Sequence, residues 1–248
     1  MKIVVIGGRG RIGSMVVENL ERDGHDVVAA DLASGVNTLT GDGLAGALDG
    51  ADVVVDVSNS PSFEDAAVLE FFQTSTGNIL AAERDAGVGH HVALSVVGAD
   101  RLPDSGYLRA KLAQERLIEA SGIPYSIVRS TQFFEFARAI ADDAVDRDAI
   151  RVPSARIQPI AAVEVARAVA RVAAGVPVHG IVEIGGPEAF TFSELIDRAL
   201  TDPRHVVADP GARYFGTTLA DASLLPGPGA RLGQIGLETW LSTLATHA

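Results

Sequence analysis

Lys2-Ile3-Val4-Val5-Ile6-Gly7-Gly8-Arg9-Gly10-Arg11-Ile12-Gly13 runs from a β-branched stretch into a cluster of glycines and on into a helical pattern, Ile12, Met15, Val16 and Leu20. An apolar run without polar alternation reads as a strand covered on both faces, which is the habit of parallel sheets. The glycines satisfy two frames at once, Gly7/Gly10/Gly13 and Gly8/Gly10/Gly13. Such a frame between strand and helix supplies a tight turn, a close backbone approach and close helix–strand packing. The amide groups at the helix start then form a seat for a pyrophosphate. A second strand, His25 to Asp31, ends on an acidic side chain at the distance the dinucleotide fingerprint requires. The expected ligand is therefore NAD or NADP, held by Gly7, Gly8, Arg9, Gly10, Arg11, Ile12 and Gly13 with Asp31 beyond.

The choice between the two cofactors turns on two residues. Asp31 would accept hydrogen bonds from the adenosine ribose and repel a 2′-phosphate, which favours NAD. Arg9 would favour NADP if it reached a 2′-phosphate, and has no such role if it pairs with Asp31 or stays solvated. The balance leans slightly to NAD.

Working outward, strands and helices alternate. A short, irregular third strand is expected near Val36 to Leu39, then a small helix around Leu44 to Leu48 and a buried strand Asp52 to Val57. A long helix Phe63 to Ala86, a strand His90 to Val96, a helix Tyr107 to Ala120 and a strand Tyr125 to Arg129 follow. The alternation predicts an α/β fold, a Rossmann-type doubly wound parallel sheet with a small C-terminal substrate lobe. The expected division is residues 1–134 for the dinucleotide domain and 135–248 for a segment that completes the sheet and forms the lobe. Beyond Thr131 the expected elements are strands at Ile150–Val152 and Ile181–Ile184, and helices at Val163–Ala174, Phe192–Leu200 and Leu237–Leu244.

Composition narrows the partners. Of 248 residues 47% are hydrophobic and 21% charged, a globular balance, and the net charge of −12 disfavours a phosphate backbone as partner. There is no cysteine, which fits a reducing cytoplasm and excludes disulfides and thiolate metal sites. No stretch approaches a membrane span, and the apolar N-terminus is too short for a signal peptide. The two long helices would either pair across a twofold in a homodimer or simply cover the sheet. A small-molecule substrate is the expected partner.

Tyr107-Leu108-Arg109-Ala110-Lys111 sets a phenol and an ammonium on one helical face, in a chain with only three tyrosines and two lysines. An ammonium close by lowers a phenol pKa and makes tyrosine a proton donor and acceptor. Ser95 closes the preceding strand, where a capping hydroxyl is the plainer interpretation. His90 and His91 are adjacent on a strand, face opposite sides and cannot share a metal. Phe133, Phe134 and Phe136, and Tyr214, Phe215 and Trp240, are candidates for a pocket or lid, with packing the better expectation. Glu64, Asp65, Asp142 and Asp143 read as surface charges.

Together these residues give the chain its resemblance to the short-chain dehydrogenase/reductases, in the atypical NmrA-like NAD(P)-binding branch. The resemblance rests on Gly7/Gly10/Gly13, Asp31, Val57-Ser58-Asn59, Ser95 and Tyr107/Lys111. It extends to Pro124-Tyr125-Ser126-Ile127-Val128-Arg129, Ser130 to Phe134, Gln158-Pro159-Ile160 and Val163 to Ala166. It implies hydride transfer between nicotinamide and a small or aromatic carbonyl, alcohol or quinone. Tyr107 would protonate the substrate oxygen and Ser95 would orient it. Lys111 would bind the nicotinamide ribose and lower the tyrosine pKa. Val57, Ser58 and Asn59 would contact the cofactor, although V-S-N-S replaces the N-A-G type turn of better-known members. Some members of the branch sense the dinucleotide without turning it over, so a regulatory protein is the alternative.

Overall fold

A computed structural model describes residues 1–246 of the chain. The first part runs β1 (Lys2–Ile6), α1 (Arg11–Arg22), β2 (Asp26–Ala30), α2 (Leu44–Leu48), β3 (Val53–Asp56), α3 (Asp65–Ala86), β4 (His90–Val96), α4 (Gly106–Ala120) and β5 (Tyr125–Ser130). It continues with α5 (Ala137–Asp143), β6 (Val145–Asp146), β7 (Ala149–Val152), β8 (Arg156–Ile157), α6 (Ala162–Ala173) and β9 (Gly180–Gly185). Last come β10 (Phe190–Thr191), α7 (Phe192–Ala199), β11 (His205–Ala208), β12 (Arg231–Leu232) and α8 (Leu237–Thr246).

Seven strands make one sheet in the order β12-β9-β5-β4-β3-β1-β2. The pairings of β1 with β2 and with β3, of β3 with β4, and of β9 with β12 are parallel. The uninterrupted apolar runs are explained by this position: Ile3 to Ile6 of β1 and all of β3 are buried. Strand order reverses between β1 and β3, so the chain leaves their carboxyl ends in opposite directions and opens a crevice where ligands of such sheets bind. This is the expected doubly wound α/β architecture.

The third strand expected near Val36 to Leu39 does not form. The segment is a turn whose own side chains satisfy its backbone: Asn37 Oδ1 accepts from the Leu39 amide at 2.9 Å, and Thr40 Oγ1 donates to Asp42 at 2.6 Å. Asn78 of α3 donates to the carbonyls of Thr38 and Leu39 at 2.8 and 3.0 Å. Val36 stays buried with Val4, Ile6, Leu44, Leu48 and Ile79, so its apolar character serves the core rather than a strand. The long helix starts at Asp65, leaving Phe63 outside it and exposed.

By contacts the chain forms two compact units. The first comprises 1–95, 106–129 and 165–182; the second comprises 96–105, 130–164 and 183–248. In the second, β11, β7 and β6 form a three-stranded sheet and β10 pairs with β8. There Phe134 stacks on Trp240 with ring centroids 5.4 Å apart, and the indole N–H donates to Glu135 at 3.2 Å. Phe134 and Trp240 are thus packing residues, whereas Phe136 and Phe215 are exposed.

Candidate functional site

The glycine turn is built at the end of β1. Gly7 adopts φ +78°, and a Cβ there would stand 3.1 Å from the Ser58 amide nitrogen and Cα. Its turn therefore lies directly on the segment leaving β3. A Cβ on Gly13 would stand 2.0 Å from the Gly7 carbonyl oxygen, so only glycine allows α1 to start this close to the strand. Gly10 is the N-cap of α1, no side chain caps the helix, and its first turn holds no acidic residue. Exposed Arg9 and Arg11 flank this uncapped helix start. The donor set matches what a pyrophosphate needs.

Arg9 and Asp31 meet. The guanidinium donates to Asp31 Oδ1 at 2.7 Å, which is the ion pair foreseen as one of the alternatives for Arg9. The same oxygen accepts from the Ser34 amide at 3.0 Å and caps the short 3₁₀ turn Leu32–Ser34. Asp31 thus fixes the loop that follows β2 while holding an arginine.

Tyr107, in the first turn of α4, is half-buried and its hydroxyl donates to Asn59 Oδ1 at 3.3 Å. Asn59 follows Ser58, the residue that lies on Gly7. The phenol ring packs against exposed Phe63 (5.7 Å between centroids) and buried Phe72 (6.2 Å). Burial pushes the phenol pKa up to about 12. The structure therefore brings Tyr107 to the Val57–Asn59 turn, but without the lowering that an adjacent ammonium would give.

Lys111 points inward. The residue is 3% exposed, and its amine donates to the Leu94 carbonyl at 2.8 Å and to Gln114 Oε1 and lies 4.3 Å from the centroid of the Phe72 ring. Burial brings its pKa down to about 8, with Asp56 and Glu115 pulling the other way. Gln114 passes the contact on, donating to Asp56 Oδ2 at 2.9 Å. Asp56 Oδ1 accepts from the Ser58 amide at 3.0 Å and from the Ser58 hydroxyl at 2.6 Å.

Ser95 is tied to a second buried group. Its hydroxyl donates to Glu115 Oε1 at 2.6 Å, and Arg129 grips the same carboxylate with Nε at 2.9 Å and Nη2 at 2.6 Å. A serine that donates to a carboxylate turns lone pairs, not a proton, toward anything else it touches. His90 and His91 go to different partners, Ser126 of β5 at 2.8 Å and Glu83 of α3 at 2.7 Å. Asp65 pairs with Arg109 at the surface, and Asp142 lies 3.9 Å from Arg204.

Asp56, Gln114 and Glu115 were not singled out from the sequence, and Arg129 entered only as the end of the Pro124–Arg129 run, with no role given to its side chain. A signal existed: Lys111, Gln114 and Glu115 share one face at i, i+3 and i+4, and a polar stripe on a helix that covers a sheet is unusual.

Residues 7–174, more than half of the chain, match the family model described as NAD(P)H-binding. The chain belongs to this NAD(P)H-binding family. Membership bears out the expected NAD(P)-binding protein of the short-chain dehydrogenase/reductase superfamily, with NAD or NADP as cofactor. Among curated relatives, divinyl chlorophyllide a 8-vinyl-reductase of Cucumis sativus is 32% identical over 166 residues, 54% of this chain and 39% of that protein. The match spans less than half the length of the curated relatives. Among solved structures, UDP-glucose 4-epimerase of Thermus thermophilus with NAD gives a TM-score of 0.73 at 19% identity, covering 100% of this chain and 98% of that one. An NADPH-dependent quinone oxidoreductase of Escherichia coli, complexed with NADPH, gives 0.63 at 22% identity, covering 84% and 77%. At such identities the likeness is one of fold. No helix among the described residues is long and apolar enough to cross a membrane.

Proposed function

We propose that this NAD(P)H-binding protein is a reductase of small or aromatic carbonyl or quinone compounds, with Tyr107 as proton donor. The observation that carries the proposal is the placement of the Tyr107 hydroxyl on Asn59, next to the residue that lies on the glycine turn. Gly7 to Gly13 would hold the pyrophosphate on the uncapped start of α1, and Val57 to Asn59 would border the nicotinamide end. When bound, the dinucleotide supplies the two electrons and the hydrogen that the substrate carbon receives. A phenol held near 12 is fully protonated at neutral pH, so it suits donation to a substrate oxygen during reduction rather than base chemistry in the reverse direction. Ser95, whose own proton is held by Glu115, would accept a hydrogen bond from the hydroxyl that this donation creates. The exposed face of Phe63 beside Tyr107 favours flat, apolar substrates. Asp31 keeps the slight preference for NAD, and its pairing with Arg9 tempers its repulsion of a 2′-phosphate.

The test is oxidation of NADH and NADPH against a panel of quinones and aromatic carbonyls, with Tyr107→Phe alongside. Loss of one well-placed general acid lowers kcat roughly 10²–10⁴-fold, with cofactor affinity retained. Unchanged turnover in Tyr107→Phe assigns the proton elsewhere. A dinucleotide-responsive regulator without turnover is the second reading, favoured by the inward-facing Lys111 and the raised phenol. It expects tight cofactor binding and no oxidation across the panel.

A further inference from the structure

We propose that Lys111 serves the dinucleotide site from inside the fold, as a positioning residue that holds Ser58 through Gln114 and Asp56. Its ammonium has three N–H groups, and the Leu94 carbonyl, Gln114 Oε1 and the face of Phe72 receive it. Nothing in that arrangement turns toward a ribose. The chain of contacts leads the other way: Gln114 accepts from the ammonium with its oxygen and donates to Asp56 with its nitrogen. Asp56 in turn gathers both donors of Ser58, and the Ser58 backbone lies against Gly7.

The polarity of the chain has a direction. The amide in the middle accepts from the cation through its oxygen and donates to the carboxylate through its nitrogen. Lys111, Gln114 and Asp56 are each at most 3% exposed, so water does not substitute for a broken link and each link weighs more than at a surface. The ammonium is faced by Asp56 from β3, the Leu94 carbonyl from β4, Phe72 from α3 and Glu115 from its own helix. Loss of its charge takes the ammonium away from buried Asp56 and loosens Ser58.

The inference rests on the proposed seat of the dinucleotide at Gly7–Gly13, and one titration series separates the two. NADH and NADPH are titrated calorimetrically into the full chain and into Lys111→Met, Gln114→Leu, Ser58→Ala and Lys111→Met/Ser58→Ala. Each single change is expected to weaken binding roughly tenfold, the size of one charged hydrogen bond. The double change is expected to weaken it no further, since both cut one chain. Wild-type affinity should fall as pH rises through about 8, where the lysine loses its proton, and Gln114→Leu should abolish that slope. Ser58 is half-buried, so Ser58→Ala remains informative if a buried variant does not fold. Additive losses, or loss in Lys111→Met alone, overturn the proposal in favour of an amine that touches the cofactor itself. If Gly13→Ala leaves both affinities untouched, the seat lies elsewhere and the proposal falls with it.

Discussion

Glu83 of α3 and His91 of β4 form a fully buried pair, 2.7 Å apart. Glu83 Oε2 and His91 Nε2 have no hydrogen-bond partner. Replacing one member strands the other in an apolar core, which costs about 3–5 kcal/mol. For a chain of this size each kcal/mol moves Tm by about 2–4 °C, so Glu83→Leu or His91→Phe alone should lower Tm by roughly 6–20 °C. The double replacement removes both polar groups and should recover most of that loss, because apolar packing often matches or exceeds a buried ion pair. The pH dependence has a definite sign. Burial disfavours the His91 cation, yet the charge and hydrogen bond of Glu83, with Asp56 beyond, raise its pKa above the ordinary 6.5. Burial also raises Glu83 above 4.5, against the pull of His91. A raised pKa means stability that is complete below the unfolded value and lost as pH climbs through the folded one. Wild-type Tm should therefore decline as pH climbs from about 4.5, the ordinary value for Glu83, through the raised His91 value, and the double variant should lack that part of the slope. Calorimetric scans of the four proteins between acid and alkaline buffers make the comparison. A double variant whose loss equals the sum of the singles would refute the pairing energetics, as would a wild type whose slope survives unchanged in the double.

Two further outcomes follow from the site. Gly13→Ala places a methyl 2.0 Å from the Gly7 carbonyl, so the turn must open; calorimetry should detect no dinucleotide binding even where circular dichroism shows a folded chain. Arg9→Ala should lower NADPH affinity relative to NADH, and Asp31→Ala should raise it, each by roughly three- to tenfold for one partly solvated charge; the ratio of the two dissociation constants is the measurement.

Much of the sheet was legible because its strands are buried on both faces, so Lys2–Ile6 and Asp52–Val57 read as strands from composition alone. The glycine frame was legible for the same reason that it is restrictive: close approach admits no side chain. Val36–Leu39 misled because Asn37, Thr40 and Asp42 hydrogen-bond locally and outcompete a ladder, a contest that periodicity does not register. At the site, spacing put Tyr107 and Lys111 on one helical face correctly. It did not tell which way each side chain leans, and a small rotation separates a phenol at the Val57–Asn59 turn from an amine in the core. Ser95 was read as a strand-end hydroxyl, but its partner Glu115 is twenty residues away and became visible only through the packing of α4 on the sheet.

That packing carries one more implication. Helices that dock through aliphatic side chains tolerate sliding, since one leucine resembles the next. α4 presents Lys111, Gln114 and Glu115 to the sheet, each with a different chemical complement. Displacement by a single turn would carry Glu115 to the place of Lys111, a carboxylate facing the Leu94 carbonyl and the neighbourhood of Asp56. Registry mistakes of this kind are thus self-penalising, and the alignment of the phenol above follows from charges far beneath it.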